Sequence, residues 1–414
     1  MGETPVSRRR LLAWAGAAGS VGAVAGVVGG RATADTEAPP PTSDRLTAND
    51  DPVSISEAPQ GLDDHVPAFG HLLALDLLPD VRRDTAAARR ASTDLLADLG
   101  RLADDAAAGA GPGQTGIAAL DLRPDSLQIT PGLGATLLEA CGLADRRPEA
   151  LVDLPAYAND RLDPRLCGGD VFVQLAAEDP MKLAGAVQEV AGLLAGRAEV
   201  RYSRRGFRTT QAGISDPATT GRNLMGHRDG TANPPLGSPL WESTVLAREP
   251  DSWMDGGSYL VLRQIRIDLE DWFAKTREHQ EDVIGRSLGN GAALGAKREH
   301  DPVDLDLRDA EGALLIPGHA HVRLANPRNT GGSRIYRRGW NYDDGWAPDG
   351  SRDAGLLFVA WQSDLRRGFL PIQRSLVSRN DALNDYTTHV GSAVFAVPGR
   401  RRDEAYAGQR LLEG

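Results

Sequence analysis

One arrangement of a short apolar run, a capping residue and an amphipathic segment occurs twice in this 414-residue chain. In the first copy, the run 169–175 is followed by Asp179-Pro180 and then by apolar residues at helical spacing up to Leu194. In the second copy, the run 355–361 precedes Ser363-Asp364 and a helical pattern that extends through Leu376. Each copy therefore predicts a strand followed by a capped helix.

A further strand follows each copy, and a strand with a charged helix precedes it. The following strands are predicted at 199–202 and 393–397, and the preceding pairs at 71–78 with 81–102 and 258–267 with 271–284. Two βαβ-type units in each half predict an α+β chain with a duplicated ferredoxin-like fold, two antiparallel sheets and peripheral helices. The alternative is a chance similarity of alternating elements. The predicted halves are 64–220 and 221–400, with a boundary near 208–225 and a tail at 401–414.

The N-terminus has the features of an export signal. Arg8-Arg9 precedes a stretch from 11 to 30 that is almost wholly Ala, Gly, Val and Leu, and Ala32-Thr33-Ala34 supplies small residues for a signal peptidase. This order predicts a twin-arginine signal peptide, 1–34, with a membrane-spanning helix as the alternative. Residues 35–63 are rich in Pro, Ser, Thr and Asp and are predicted to form a flexible leader. We therefore expect export by the twin-arginine machinery to the cell envelope, the periplasm or the extracellular space.

Charge and cysteine content limit the partners of the chain. The net charge of −11 argues against nucleic acid, whose phosphates an acidic surface repels. Cys141 and Cys167 are compatible with one disulfide outside the cytoplasm and equally with two buried thiols. Neither cysteine stands in a CxxCH motif, so covalent haem attachment of the cytochrome c type is excluded.

Two short motifs carry residues suited to chemistry. Asp229 lies in a GxxDG pattern between Gly226 and Gly230, which would let the backbone turn sharply and approach a flat cofactor, although Asp-Gly pairs also occur in ordinary surface turns. His319 and His321 lie two residues apart, so in an extended segment both imidazoles would point to one face. Zinc or copper is then a competing idea, but no cysteine or carboxylate set with metal spacing accompanies the pair.

Ordered segments along the chain resemble the dye-decolourising peroxidase family, of the twin-arginine-exported bacterial type related to deferrochelatases. The resemblance covers about 71–399 and is carried by the segments 169–174, 205–207, 223–234, 320–328, 337–342 and 391–399. One segment departs from the family: a Gly-x-His-Gln-Ala-Gly-Ile stretch is common before the first strand, and here residues 62–67 stand in its place.

The resemblance implies a peroxidase site with one noncovalent haem b per chain. It makes His321 the proximal iron ligand, Asp229 the distal carboxylate and Arg337 the distal arginine, with Gly226 and Gly230 close to the cofactor. A proximal histidine usually donates its other ring N–H to an acceptor, and Asp385 is the first candidate and Asp381 the second.

Physical reasoning agrees with these roles. Hydrogen peroxide must lose a proton from one oxygen and receive one on the other before its O–O bond breaks, and one carboxylate can perform both transfers. The negative charge that develops as the O–O bond breaks needs a fixed cation nearby. A guanidinium supplies one, because it stays protonated at all relevant pH values. His227 is the alternative distal base.

The function implied is that of a secreted haem peroxidase, which reduces hydrogen peroxide and oxidises dyes, phenolics or similar donors through a ferryl intermediate. The alternatives are deferrochelatase-type release of iron from haem, a non-catalytic haem-binding protein, and a chlorite-dismutase-like reaction on fold analogy alone. A homo-oligomer is compatible with the sequence. An aromatic cluster near Arg337 is a candidate electron route outward, although such residues commonly form core; its members are Tyr336, Trp340, Tyr342 and Trp346.

Overall fold

The computed structural model describes the chain from residue 58 onward with short gaps, as 58–62, 66–108, 127–210, 220–250, 252–347 and 350–414. The strands are β1 Phe69–Leu77, β2 Gln128–Leu133, β3 Val171–Ala177, β4 Ala198–Phe207, β5 Ser258–Ile267, β6 Tyr336–Arg337, β7 Trp340–Trp346, β8 Arg352–Gln362 and β9 Thr387–Val397. The helices are α1 Pro79–Arg82, α2 Thr85–Ala108, α3 Ala135–Ala140, α4 Pro180–Leu193, α5 Pro239–Val245, α6 Leu269–Ala274, α7 Arg277–Ile284, α8 His321–Leu324, α9 Phe369–Ser378 and α10 Gln409–Leu412. The predicted signal peptide, nearly all of the predicted leader and part of the predicted boundary lie outside the described residues.

The strands form two antiparallel halves of like topology. The N-terminal strands are ordered β2-β3-β1-β4, and in the C-terminal half β5 lies between β9 and β8, with β7 and β6 beyond β8. The halves meet edge to edge through two single residue pairs, Leu133 with Ala396 and Phe207 with Asn341, so that nine strands form one continuous sheet. The predicted α+β, ferredoxin-like architecture is confirmed, with the two predicted antiparallel sheets joined at their edges into one.

Local capping explains where the helices of the two halves begin. Asp179 accepts hydrogen bonds from the backbone N–H groups of Met181 and Lys182 and starts α4, as the sequence predicted. The predicted helix at 271–284 is broken, because Lys275 is extended and the side chain of Thr276 caps a second helix by accepting the N–H of His279. This break gives α7 its own direction, and α7 then packs against the turn that holds Asp381.

The core couples the two halves. Phe172 of β3 and Phe395 of β9 stack with ring centroids 4.8 Å apart, and both are fully buried. Cys141 and Cys167 are both free thiols. Over the described part of the chain, no helix has the length and apolar character needed to cross a membrane.

Candidate active site

The predicted site residues meet in one cavity of the C-terminal half. Asp229, His321 and Arg337 all line it, although they come from three separate segments of the chain. Its walls are largely apolar side chains from strands β5 and β8 and from the helices around them, among them Ile265, Ile284, Leu356, Phe358, Phe369 and Leu376. An apolar cavity with a few convergent polar groups is the usual form of a cofactor or substrate site.

His321 is the first residue of α8, and its imidazole is held by a carboxylate. Its Nδ1 lies 2.6 Å from Oδ2 of Asp381, a side chain that is 2% exposed. Because an ionised carboxylate can only accept, Nδ1 carries the proton and Nε2 keeps its lone pair. Among the described residues Nε2 has no hydrogen-bond partner, so it is available as a ligand.

The acceptor is therefore Asp381 and not Asp385, which was the first candidate from the sequence. Asp381 caps the 3₁₀ turn Ala382–Asp385, since its Oδ1 accepts the N–H of Leu383, and this leaves Oδ2 for the histidine. Asp385 lies at the far end of the same turn and lines a different cavity. One turn of 3₁₀ helix spans about three residues, so positions four apart do not face the same way.

His319 does not share a face with His321. The segment is not a continuous strand, because Gly318 and His319 lie in a turn and α8 begins at His321. His319 consequently lines the same separate cavity as Asp385. No group of three or more His, Cys, Asp or Glu side chains suited to a metal ion exists within the described ranges, which gives no support to a zinc or copper site.

Asp229 and Arg337 form an ion pair in the cavity. Nη1 of Arg337 donates to Oδ1 of Asp229 over 2.8 Å, and each side chain is about one quarter exposed. Oδ2 of Asp229 has no hydrogen-bond partner among the described residues. The pair therefore has one carboxylate oxygen fixed by a cation and the other open to a proton.

Asn233 holds the two segments of this pair together, a role that the sequence did not reveal. Its side-chain amide donates to the backbone carbonyl of Arg337 over 2.8 Å and accepts the backbone N–H of Arg337 over 3.0 Å. Since Asn233 lies four residues after Asp229, this two-way contact ties the loop of the carboxylate to strand β6. The backbone of Arg337 is thus fixed relative to the loop that carries Asp229.

Gly226 and Gly230 serve the turn and not the cavity wall. Their φ angles are 84° and 117°, in the region where side chains other than glycine are strained, and neither residue lines the cavity. Between them, the backbone N–H of Asp229 donates to the carbonyl of Gly221. The glycines place Asp229 by letting the chain fold back, and contact with a cofactor is not needed to explain them.

His227, the alternative distal base, also lines the cavity but lacks a supporting partner. It is 2% exposed, its Nε2 is buried without a hydrogen bond, and its ring lies edge-on to Trp272 with centroids 5.9 Å apart. Burial lowers the pKa of His227 to about 4, so that the ring is neutral near pH 7. Within the described residues, no ion pair or side-chain hydrogen bond orients the ring of His227 as Arg337 orients Asp229.

An aromatic chain leads from this cavity to the second one. Trp272 packs against His227 on one side and against Tyr386 on the other, with centroids 5.0 Å apart in the second contact. The Tyr386 hydroxyl lies 2.8 Å from Nε2 of His279, and both residues line an open cavity of about 620 Å³ that also contains Asp381. Of the four aromatic residues considered near Arg337, Tyr336, Trp340 and Tyr342 are core residues, the commoner role for such side chains, while Trp346 is 69% exposed.

The residues around the first cavity fit a haem group. Nε2 of His321 is free to bind iron, the apolar walls suit a porphyrin, and several arginines line the cavity and could bind carboxylates. Asp229 and Arg337 supply the carboxylate and cation that peroxide chemistry requires.

Comparison with known proteins gave consistent matches over most of the chain. The profile described as Dyp-type peroxidase, N-terminal, matches residues 61–208, and that described as Dyp-type peroxidase, C-terminal, matches residues 220–402. The chain is 48% identical to a dye-decolorizing peroxidase of Thermobifida fusca, over 99% of this chain and 97% of that protein. It is 34% identical to a deferrochelatase of Escherichia coli, over 99% of this chain and 98% of that protein. The crystal structure of a DyP-type peroxidase from Streptomyces coelicolor superposes with a TM-score of 0.81 at 38% identity, covering 87% of this chain and 97% of that one.

Proposed function

The chain belongs to the Dyp-type peroxidase family and is a haem peroxidase, and from this premise we propose that it is an exported enzyme that reduces hydrogen peroxide and oxidises dyes or phenolic donors. Proteins of this family bind haem. We propose that this chain holds one noncovalent haem b through His321. The observation that carries the proposal is the Asp229–Arg337 ion pair in the same cavity as the free Nε2 of His321.

In this proposal each polar residue of the cavity has one task. When bound, haem supplies the redox-active iron that peroxide oxidises and organic donors reduce. Asp381 keeps the proton on Nδ1 of His321, so that Nε2 remains a ligand and the imidazole is electron-rich. Oδ2 of Asp229 takes the proton from one peroxide oxygen and returns it to the other. Arg337 holds Oδ1 and offsets the negative charge that develops as the O–O bond breaks.

The direct test is the visible spectrum of the purified protein before and after one equivalent of hydrogen peroxide. A haem peroxidase should show the Soret band of histidine-bound haem, a rapid change on addition of peroxide, and a return when a phenolic donor is added. A haem spectrum that peroxide leaves unchanged would point to a protein that only binds haem.

Release of iron from haem is the second candidate, because several relatives carry the name deferrochelatase. Identity to those proteins is 33% to 36%, against 48% to the dye-decolorizing peroxidase, which favours peroxidase activity as the main one. The two are separated by measuring free iron and metal-free porphyrin beside peroxide turnover in the same reaction. Stoichiometric iron release without peroxide turnover would favour the second candidate.

Donors too large for the haem cavity require an electron route to the surface, and we assign it to Trp272 and Tyr386. Oxidation of Tyr386 removes one electron toward the haem, and its phenolic proton passes to the hydrogen-bonded His279; a donor then returns an electron and the proton moves back. Tyr386→Phe keeps the ring but cannot release this proton. It should slow oxidation of a bulky dye by about 10²-fold or more, the scale of lost proton-transfer assistance, while leaving the reaction with peroxide unchanged.

The matched control for Tyr386→Phe is Trp346→Phe, which replaces the exposed indole of the aromatic cluster near Arg337 by a phenyl ring that is much harder to oxidise. Dye turnover should stay at the wild-type level in this variant. If Trp346→Phe slows dye turnover and Tyr386→Phe does not, the electron route runs along β7 instead.

Export is proposed from residues 1–34, and the twin arginines give the test. Replacement of both Arg8 and Arg9 by lysine should leave the folded precursor in the cytoplasm, because the export machinery reads the arginine pair. Arg10→Lys is the control and should be exported normally. Cell fractionation gives the location of each variant, and N-terminal sequencing gives the first residue of the exported protein. An exported protein that still begins at Met1 would contradict cleavage after Ala34.

A further inference from the structure

One arginine in the wall of the haem cavity is buried without a carboxylate. Five arginines line this cavity, and three of them are paired with acids: Arg228 with Glu299, Arg263 with Asp160, and Arg337 with Asp229. The remaining two, Arg286 and Arg334, have no ion pair among the described residues. Arg334 is exposed to water, which can solvate its charge, but Arg286 is only 7% exposed.

The contacts of Arg286 leave part of its guanidinium unsatisfied. Nη1 donates to the backbone carbonyls of Gly291 over 2.8 Å and Glu299 over 3.1 Å. Both acceptors are neutral, and the other N–H groups of Arg286 have no partner within the described residues. Burial lowers the pKa of Arg286, the nearby cation Arg337 lowers it further, and the Glu299 carboxylate, whose ion pair is with Arg228, raises it. A buried charge without an ion pair of its own is costly, so this position is suited to an anion brought by a ligand.

We infer that Arg286 binds a carboxylate of the haem, an inference that rests on the proposed haem site. Haem carries two propionate side chains that are ionised at neutral pH, and a guanidinium binds a carboxylate through two parallel N–H groups. The other carboxylates at the cavity are already engaged, since Asp229 accepts from Arg337 and Asp381 from His321. Arg286 is thus a buried cation of the cavity wall that has no ion pair within the described residues, and a haem carboxylate would supply one.

The test removes the charge from either partner in turn. Wild type and Arg286→Met are reconstituted with haem and with haem dimethyl ester, and the rate of transfer to excess apomyoglobin is followed by absorbance. With natural haem, Arg286→Met should lose the cofactor about 10- to 100-fold faster, the scale of a hydrogen bond to a charged group. The ester should leave wild type at a similarly raised rate, and with the ester the two proteins should differ by less than about threefold, since neighbouring partners are not additive.

Two further variants keep the test decisive. Arg379→Met removes an exposed arginine outside the cavity and should match wild type with both cofactors. Arg286→Lys retains the charge and replaces the methionine variant if that variant does not fold. With natural haem, its rate of cofactor loss should lie between those of wild type and Arg286→Met. With the ester, its rate should equal that of wild type. The assignment would be overturned if Arg286→Met lost natural haem and the ester equally faster than wild type, or lost neither of them faster. Failure of wild type to bind either cofactor would instead contradict the proposed haem site.

Discussion

His321→Ala should abolish stable haem retention, whereas His319→Ala should retain haem as wild type does. The structure gives the reason: Nε2 of His321 lies free at the cavity, while His319 lies on the other side of the start of α8 and lines a separate cavity. The measurement is the ratio of Soret absorbance to protein after purification and after reconstitution with haem. The loss in His321→Ala should exceed the about 10- to 100-fold typical of removing only an outer partner of a metal ligand.

The pair Asp381 and Asp385 provides the control on how His321 is held. Asp381→Asn removes the negative acceptor of the Nδ1 proton and should weaken haem binding or shift the iron potential, while Asp385→Asn should do neither. If His319→Ala loses haem and His321→Ala keeps it, the ligand assignment fails. If Asp385→Asn has the larger effect, the geometry of the 3₁₀ turn differs when the cofactor is bound.

The sequence predicted most of the sheet, because its strands have strong local signals. Strand β5 coincides with the predicted 258–267, and β3, β8 and β9 overlap their predictions, since each is an apolar run bounded by turn residues. Strand β2 was not predicted. It contains Pro131 and Gly132, which disfavour a strand interior, and its long pairing with β3 makes it a strand. The break in the helix predicted at 271–284 likewise depends on one capping residue, Thr276, which periodicity does not detect.

The candidate site was predictable where a motif carries it and not where tertiary contacts do. The GxxDG pattern led to Asp229, and the turn it implied is present, with Gly226 and Gly230 at positive φ. The choice between Asp381 and Asp385 could not be made from spacing, because it depends on which of them caps the 3₁₀ turn. Asn233 and Arg286 were also not identified, since their importance lies in contacts with residues more distant in sequence or in the lack of a counter-ion.

Asp229→Ala and Arg337→Ala should both keep haem and both react slowly with hydrogen peroxide. General acid–base assistance is typically worth about 10²- to 10⁴-fold in rate, and a preorganised charge-stabilising group about 10²- to 10³-fold. The measurement is the second-order rate of the haem spectral change in stopped flow. Asp229→Asn is the matched variant, because it keeps an oxygen for Arg337 but cannot take up the proton. Arg337→Lys is the matched variant for the arginine, because it keeps the positive charge but lacks the planar set of N–H donors of a guanidinium.

The contact between the two residues makes a stronger prediction for the double variant. Arg337 fixes Oδ1 of Asp229 and Asn233 fixes the backbone of Arg337, so each side chain works in a geometry that the other supports. Groups that act as a unit are strongly non-additive, and Asp229→Ala with Arg337→Ala together should therefore be little slower than the slower single variant. His227→Ala should react at the wild-type rate. Fully multiplicative losses in the double variant would mean that the two residues act in separate steps, and wild-type rates in both single variants would return His227 or water to the role of base.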